Sequence, residues 1–209
     1  MSAQNLTLLT DLYELTMMQG YFESQANETV IFDVFFRENP NKGGYSVMAG
    51  LEQVIEYIKN LNFSYEDVDY LRGLGLFSED FLHYLSGFHF SGDIYAIPEG
   101  SVIFPREPLV KVIAPIMEAQ LVETAILNII NHQSLIATKA SRVVHAAQGN
   151  GVMEFGLRRA QGPDAGLQHP QLFTGQGQQA WEVVSERPMF SREKCLTFLF
   201  SEHMHTAGS

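Results

Sequence analysis

Two adjacent arginines, Arg158 and Arg159, open the segment Arg158–Gly166, which carries Gly162, Pro163 and Gly166 and follows the apolar run Val152–Leu157. A guanidinium is a planar fork of donors that grips carboxylate or phosphate oxygens in pairs. A glycine-bearing loop at the carboxyl end of a buried strand is where parallel α/β architectures place ligands. The pair therefore points to recognition of an anion. The chain carries 24 acidic against 13 basic side chains, a formal charge of −11, so its average surface repels a phosphate backbone or an anionic membrane. No nucleic-acid or membrane partner is expected, and a phosphate site has to be a local cluster of basic residues.

Other chemistry finds little footing. Up to residue 167 there is no phosphate-binding P-loop, no nucleophile elbow and no pair of histidines at metal-ligand spacing. The single cysteine, Cys195, excludes an intrachain disulfide framework and a cysteine-cluster zinc site. Gly175–Ala180 matches the dinucleotide fingerprint, yet only Leu172 and Phe173 precede it as strand and glutamines crowd the loop, so the match reads as chance. His203 and His205 read as solvated side chains near the end of the chain. No metal ligand and no catalytic residue is assigned.

The elements that must position these residues follow from apolar spacing. Leu8, Leu9, Leu12, Leu15 and Met17 predict one amphipathic helix, and Leu51, Val54, Ile55, Ile58 and Leu61 a second. Val30–Phe36 predicts a strand, followed by a loop over Asn39–Gly44. Ser64 and Asp67 have the spacing of a capping box that opens another short helix. Ile94–Ile97, Val102–Phe104 and Leu109–Ile113 predict three short strands of one small sheet. Glu118–Gln148, almost free of glycine and proline, predicts one long helix or two consecutive ones, ended by Gly149–Gly151. No run of eighteen apolar residues occurs and the start lacks the pattern of a secretion signal, so a soluble, cytoplasmic protein is expected. After residue 167 the texture changes: Gln171–Gln179 holds four glutamines in nine residues, and apolar periodicity nearly vanishes until Cys195–Phe200.

Several stretches resemble nicotinate phosphoribosyltransferases in order and spacing. They are Leu8–Met17, Phe36-Arg37 followed by Gly43-Gly44-Tyr45, Glu99-Gly100 with Phe104–Pro108, Glu118–Thr124, Leu135–Arg142 and Glu154–Asp164. Together they cover nearly all of residues 6–167. The resemblance implies an α/β fold of the type II phosphoribosyltransferase kind, in which a small α/β domain packs on an incomplete α/β barrel. On that pattern residues 1–115 would form the amino-terminal domain, 116–167 the helices and first strand of a truncated barrel, and 168–209 a tail outside the family. It implies an activity in NAD salvage that joins nicotinate to the ribose of phosphoribosyl pyrophosphate, releasing pyrophosphate, coupled to ATP hydrolysis and using Mg2+. It also implies a homodimer with a shared site. Phe155 would stack on the pyridine ring and Arg158 would hold the nicotinate carboxylate or a nearby phosphate, with Arg159 beside it. Tyr13 and Arg37 would reach the site from the partner subunit, and Lys139 and Arg142 would add phosphate contacts. By residue type alone Tyr13 and Phe155 read as core aromatics, Arg158 and Arg159 as ordinary loop arginines, and Lys139 and Arg142 as a solvated helix face.

The resemblance stops near Gly166. The family's later Gly-Thr-x-Ala-His-Ser motif, whose histidine is phosphorylated by ATP, is not in these 209 residues. Ser201–Ser209, back-translated and read one nucleotide earlier, permits that motif, so a frameshift near residues 167–170 is expected to have produced the tail. The alternative reading is a truncated, inactive fragment or a non-catalytic relative that dimerises or binds ligand weakly. A related transferase acting on nicotinamide or quinolinate is disfavoured by the run Leu157–Gly162.

Overall fold

The structure, a computed structural model, describes residues 5–152 and Arg159. The chain divides into two compact units, Met1–Lys139 and Ala140–Ser209. The described part is mixed α and β: helices α1 (Leu12–Glu23), α2 (Leu51–Lys59), α3 (Tyr65–Gly73), α4 (Glu79–Ser86) and α5 (Ile116–Ala146), and strands β1 (Thr29–Val34), β2 (Ser46–Val47), β3 (Asp93–Ala96), β4 (Val102–Ile103) and β5 (Val110–Pro115).

Helix α1 starts later than the apolar spacing of Leu8 to Met17 predicts. Asp11 takes an extended N-cap conformation, and Leu8 and Leu9 belong to the turn before it, where the Leu9 amide donates to the Leu6 carbonyl. Within the helix the buried apolar residues are Leu15 and Met18, while Leu12 and Met17 face solvent. Of the stripe read from sequence, Leu15 is core and Leu8 and Leu9 pack against it from the turn before the N-cap, whereas Leu12 and Met17 fall on the outer face. In α2, Val54 and Tyr57 are buried and Ile55 is exposed. The capping box of α3 is present: the Asp67 amide donates to Ser64 Oγ at 3.1 Å and the Ser64 amide to Asp67 Oδ2 at 2.8 Å. Helix α4 was not among the expected elements. Ser78, whose Oγ accepts from the Phe81 amide, caps it, and Phe81, Leu82 and Leu85 form its inner face.

The three strands expected in one sheet between residues 92 and 115 fall into two sheets. β3 and β5 pair, but β1 lies on the other side of β5, giving the order β1-β5-β3, and β4 pairs with β2. Among the described residues every strand pair is antiparallel. The run between β4 and β5 explains the split: Pro105 and Pro108 lack amide donors, and Arg106 sits at φ +67° with its amide given to Phe36. The chain cannot hold one ladder through that corner. Gly92, just before β3, is required by close approach, since a Cβ there would lie 2.4 Å from that of Ala114.

One face of the larger sheet is core. Val30, Phe32 and Val34 stand opposite Ala114, Val112 and Val110 and point towards the helices, while on the other face Asp33 pairs across the strands with Lys111 at 2.8 Å. This is the alternation of an antiparallel sheet with one solvated side. Helix α5 covers the core with Leu121, Val122, Ala125, Ile126 and Ile130, and the aromatic rings of Phe22, Phe77, Phe81 and Tyr84 pack at centroid distances of 5.4 to 6.2 Å. Fully buried members such as Phe81, Leu121 and Val122 contribute about 1.5–3 kcal/mol of transfer free energy each.

Candidate functional site

The first turn of α1 carries both an exposed aromatic ring and a buried carboxylate. Tyr13 is half exposed, whereas Glu14, the next residue, is 0% exposed. The Glu14 carboxylate is satisfied by neutral donors. Its Oε2 accepts from the Thr10 hydroxyl and from the Asp11 amide at 3.3 Å, and its Oε1 accepts from the hydroxyl of Thr124, on α5, at 2.9 Å. The same Thr124 hydroxyl lies 3.3 Å from Asp11 Oδ2. No ion pair to Glu14 exists among the described residues. A buried charge without a counter-ion needs this full set of donors, since its desolvation costs several kcal/mol.

The field of these acids reaches their neighbours. Burial, then the Glu14 carboxylate, holds the Glu123 carboxyl above its ordinary value, against the lowering effect of a hydrogen bond from Gln120. Burial and the charge of Glu14 also push up the phenol of Tyr57, whose hydroxyl has no hydrogen-bond partner among the described residues. Partial desolvation, then Glu123, Glu14 and Asp11, raises the Tyr13 phenol. Glu123 and Asp33 stand on the wall of a pocket of about 370 Å³ between β1 and α5, otherwise lined by apolar side chains such as Phe32, Val122 and Ile126.

A second cluster holds the segment Ser46–Gly50. Thr138 Oγ1 accepts from the Val47 amide at 2.9 Å, Ser134 Oγ accepts from the Ala49 amide at 3.1 Å, and the Met48 amide donates to the Ser101 carbonyl. The carboxylate of Glu99 accepts from the amides of Gly50 and Leu51 at 2.6 Å each, capping α2, whose N-cap is Gly50 at φ +103° and offers no side chain. A Cβ at Gly50 would meet Gln133 at 3.1 Å. Every one of these amides has a named acceptor, as a buried backbone requires.

Of the residues singled out from sequence, Tyr13 lies on α1 and is no core aromatic, because half its surface is open. Arg37 is exposed beyond β1, Lys139 is exposed on α5, Arg142 is half-buried on α5, and Arg159 is exposed. No hydrogen bond or ion pair joins Tyr13, Arg37 and Lys139 to one another among the described residues. Phe155 and Arg158 lie outside the described residues, as do the predicted strand beyond Val152, the rest of the Arg158–Gly166 loop, the Gly175–Ala180 match, Cys195, and the tail with His203 and His205. Among the described residues no three His, Cys, Asp or Glu side chains stand together as a metal site, and no helix is long and apolar enough to cross a membrane.

Sequence reasoning passed over Glu14, Thr124 and Glu123. A glutamate in the first turn of a helix reads as a solvated charge that favours the helix dipole. The available signal was the spacing of Asp11 and Glu14, three apart at a helix start, which has the form of a capping box. Chemically, the cluster presents a half-exposed aromatic ring beside acids, a face on which a flat ring can stack.

The model of the nicotinate phosphoribosyltransferase (NAPRTase) N-terminal domain matches residues 8–131. A nicotinate phosphoribosyltransferase of Mycobacterium tuberculosis is 53% identical over 158 residues, 76% of this chain and 34% of that protein. One of Bacillus subtilis is 45% identical over 164 residues, 78% of this chain and 34% of that protein. The crystal structure of human nicotinic acid phosphoribosyltransferase superposes with a TM-score of 0.74 at 34% identity, covering 80% of this chain and 35% of that one. The chain thus spans about a third of the length of these relatives.

Proposed function

Because the chain belongs to the nicotinate phosphoribosyltransferase family, we propose that it supplies the amino-terminal domain, and the start of an incomplete α/β barrel, of a cytosolic enzyme of NAD salvage. The reaction joins nicotinate to phosphoribosyl pyrophosphate. The ring nitrogen forms a bond to the anomeric carbon as the bond from that carbon to pyrophosphate breaks, so positive charge builds on the sugar while the leaving group carries away its electron pair. In this reading Phe155 stacks on the pyridine ring, Tyr13 contacts it, and Arg158 holds its carboxylate or a nearby phosphate, with Arg159 beside it. Lys139 and Arg142 meet phosphate oxygens. Tyr13 and Arg37 serve the site of a partner subunit, which makes a homodimer the working form. Support comes from Tyr13, a half-exposed ring held at a fixed place on α1, where the family pattern expects a ring contact. Magnesium and ATP are the cofactors of this reading, as the family resemblance implies, with magnesium neutralising pyrophosphate oxygens through few protein carboxylates.

Thermal shift of the chain with nicotinate and with phosphoribosyl pyrophosphate tests this. A ligand at 100 times its dissociation constant adds about 2.7 kcal/mol to the native state, and Tyr13→Ala or Arg158→Ala is expected to abolish most of the shift with nicotinate. The absence of any shift with either ligand overturns the reading. A second reading is a chain that holds nicotinate weakly without turning it over. It predicts the shift with nicotinate but no release of pyrophosphate.

A further inference from the structure

The geometry points to Glu14 as a positioning residue for Tyr13: its buried carboxylate, tied to Thr10 and Asp11 on one side and to Thr124 on the other, latches the first turn of α1 onto α5 and fixes how the neighbouring ring is presented. The inference rests on the reading of Tyr13 as a ring contact for nicotinate.

Packing does not explain Glu14. A glutamate is almost never fully buried unless paired, yet this one is 0% exposed and has no cation beside it among the described residues. The titratable groups that face it are Asp11 from its own helix, Glu123 from α5 and Tyr57 from α2. They repel the charge or leave it unneutralised, so burial as such works against a carboxylate here. What the carboxylate can do is bridge. One oxygen of Glu14 serves its own helix start, through Thr10 and the Asp11 amide, and the other serves α5, through Thr124. Hydrogen bonds to a carboxylate are charge-assisted and directional, so they fix the rotation of the helix about its own axis, which an apolar contact leaves soft. Successive helical residues lie about 100° apart around that axis. Holding Glu14 inward therefore holds Tyr13 at the rim, half exposed. With no surface of its own, Glu14 cannot touch a ligand and acts only through its neighbour.

A double-mutant cycle on the full 209-residue chain, with nicotinate itself as the calorimetric probe, separates positioning from mere stability. Thr124→Val removes only the α5 donor and is expected to weaken nicotinate binding about ten-fold, with a cooperative melt retained, while Thr124→Ser stays within about two-fold of wild type. On a Tyr13→Ala background Thr124→Val is expected to change binding little further, because coupled residues are not additive. Equal weakening on both backgrounds overturns the latch. Should Thr124→Val fail to fold, Glu14→Gln takes its place with the same expectations. If the wild-type chain binds no nicotinate, the functional reading fails, and the latch is judged on the ring alone. The 13C resonance of the Tyr13 phenol carbon, assigned by its disappearance in Tyr13→Phe, is then expected to shift in Thr124→Val and in Glu14→Gln but not in Thr124→Ser. An unmoved resonance in both overturns it.

Discussion

Thr124, in the first half of α5, meets two carboxylates of the α1 turn, whereas Ser134 and Thr138, further along the same helix, meet backbone amides of the segment Ser46–Gly50. In the second case each donor is a neutral amide with one acceptor. The contact completes the hydrogen bonding that any buried backbone demands, and nothing around it is charged except the Glu99 carboxylate at the helix start. In the first case a buried charge is held by two hydroxyls and one amide, with further acids close by. The amide contact is what a stable fold requires. The acid contact is a stability liability, and it lies beside the exposed ring that the family resemblance singles out. Where a protein keeps such an arrangement, function is the better account than packing.

The contrast can be broken by substitution. The largest loss is expected at Thr138: Thr138→Val leaves the buried Val47 amide without an acceptor and should cost about 2 kcal/mol in denaturant melts. It should leave nicotinate affinity unchanged, and an altered affinity would erase the distinction drawn between the two clusters. Thr124→Val should cost about 1.5 kcal/mol, since Glu14 keeps two of its three donors, but it should weaken ligand binding as well. Glu99→Ala removes the acceptor of two amides at the start of α2 and should cost about 1 kcal/mol, the usual worth of a helix cap.

The smallest effect is one of pH. In the folded chain the Glu123 carboxyl titrates above its ordinary value of 4.5, so the folded state holds this proton where the unfolded state has released it. The stability that goes with it is present below the unfolded value and is lost as pH rises through the folded one. Glu123→Gln should therefore flatten the fall in melting temperature from about pH 4.5 upwards and leave the chain slightly more stable at neutrality. Because Glu123 is only partly buried, the effect is modest. An unchanged pH profile would show that the acid cluster is more solvated than its geometry implies.

Much of the scaffold was legible from sequence. The capping box at Ser64, the strand near Val30 and the helical stretch after Ile116 follow from short-range chemistry: a hydroxyl three residues before an acid, a β-branched run, a long stretch almost without glycine or proline that left one helix or two open. What stayed hidden depends on distant partners. Whether β5 would take β1 or β4 as a neighbour is decided by a strand far away in the chain, and the eight residues of α4 are too few to show a period. The burial of Glu14 is decided by Thr124, on another helix. By apolar spacing alone the exposure of Tyr13 was equally hidden, because the Asp11 cap sets the helical phase after which inside and outside can be told apart; only the family resemblance pointed outward.

The order β1-β5-β3 also bears on how the chain assembles. β3 and β5 are separated by residues 97–109, which include β4, whereas β1 must return across three helices to pair with β5. Closing the longer loop carries the greater entropic cost and is slower. The pairing of β3 with β5 is therefore expected before that of β1 with β5. Trimming Phe32, on β1, should speed unfolding while leaving the refolding rate nearly unchanged, and the same trim at Val112, on β5, should slow refolding.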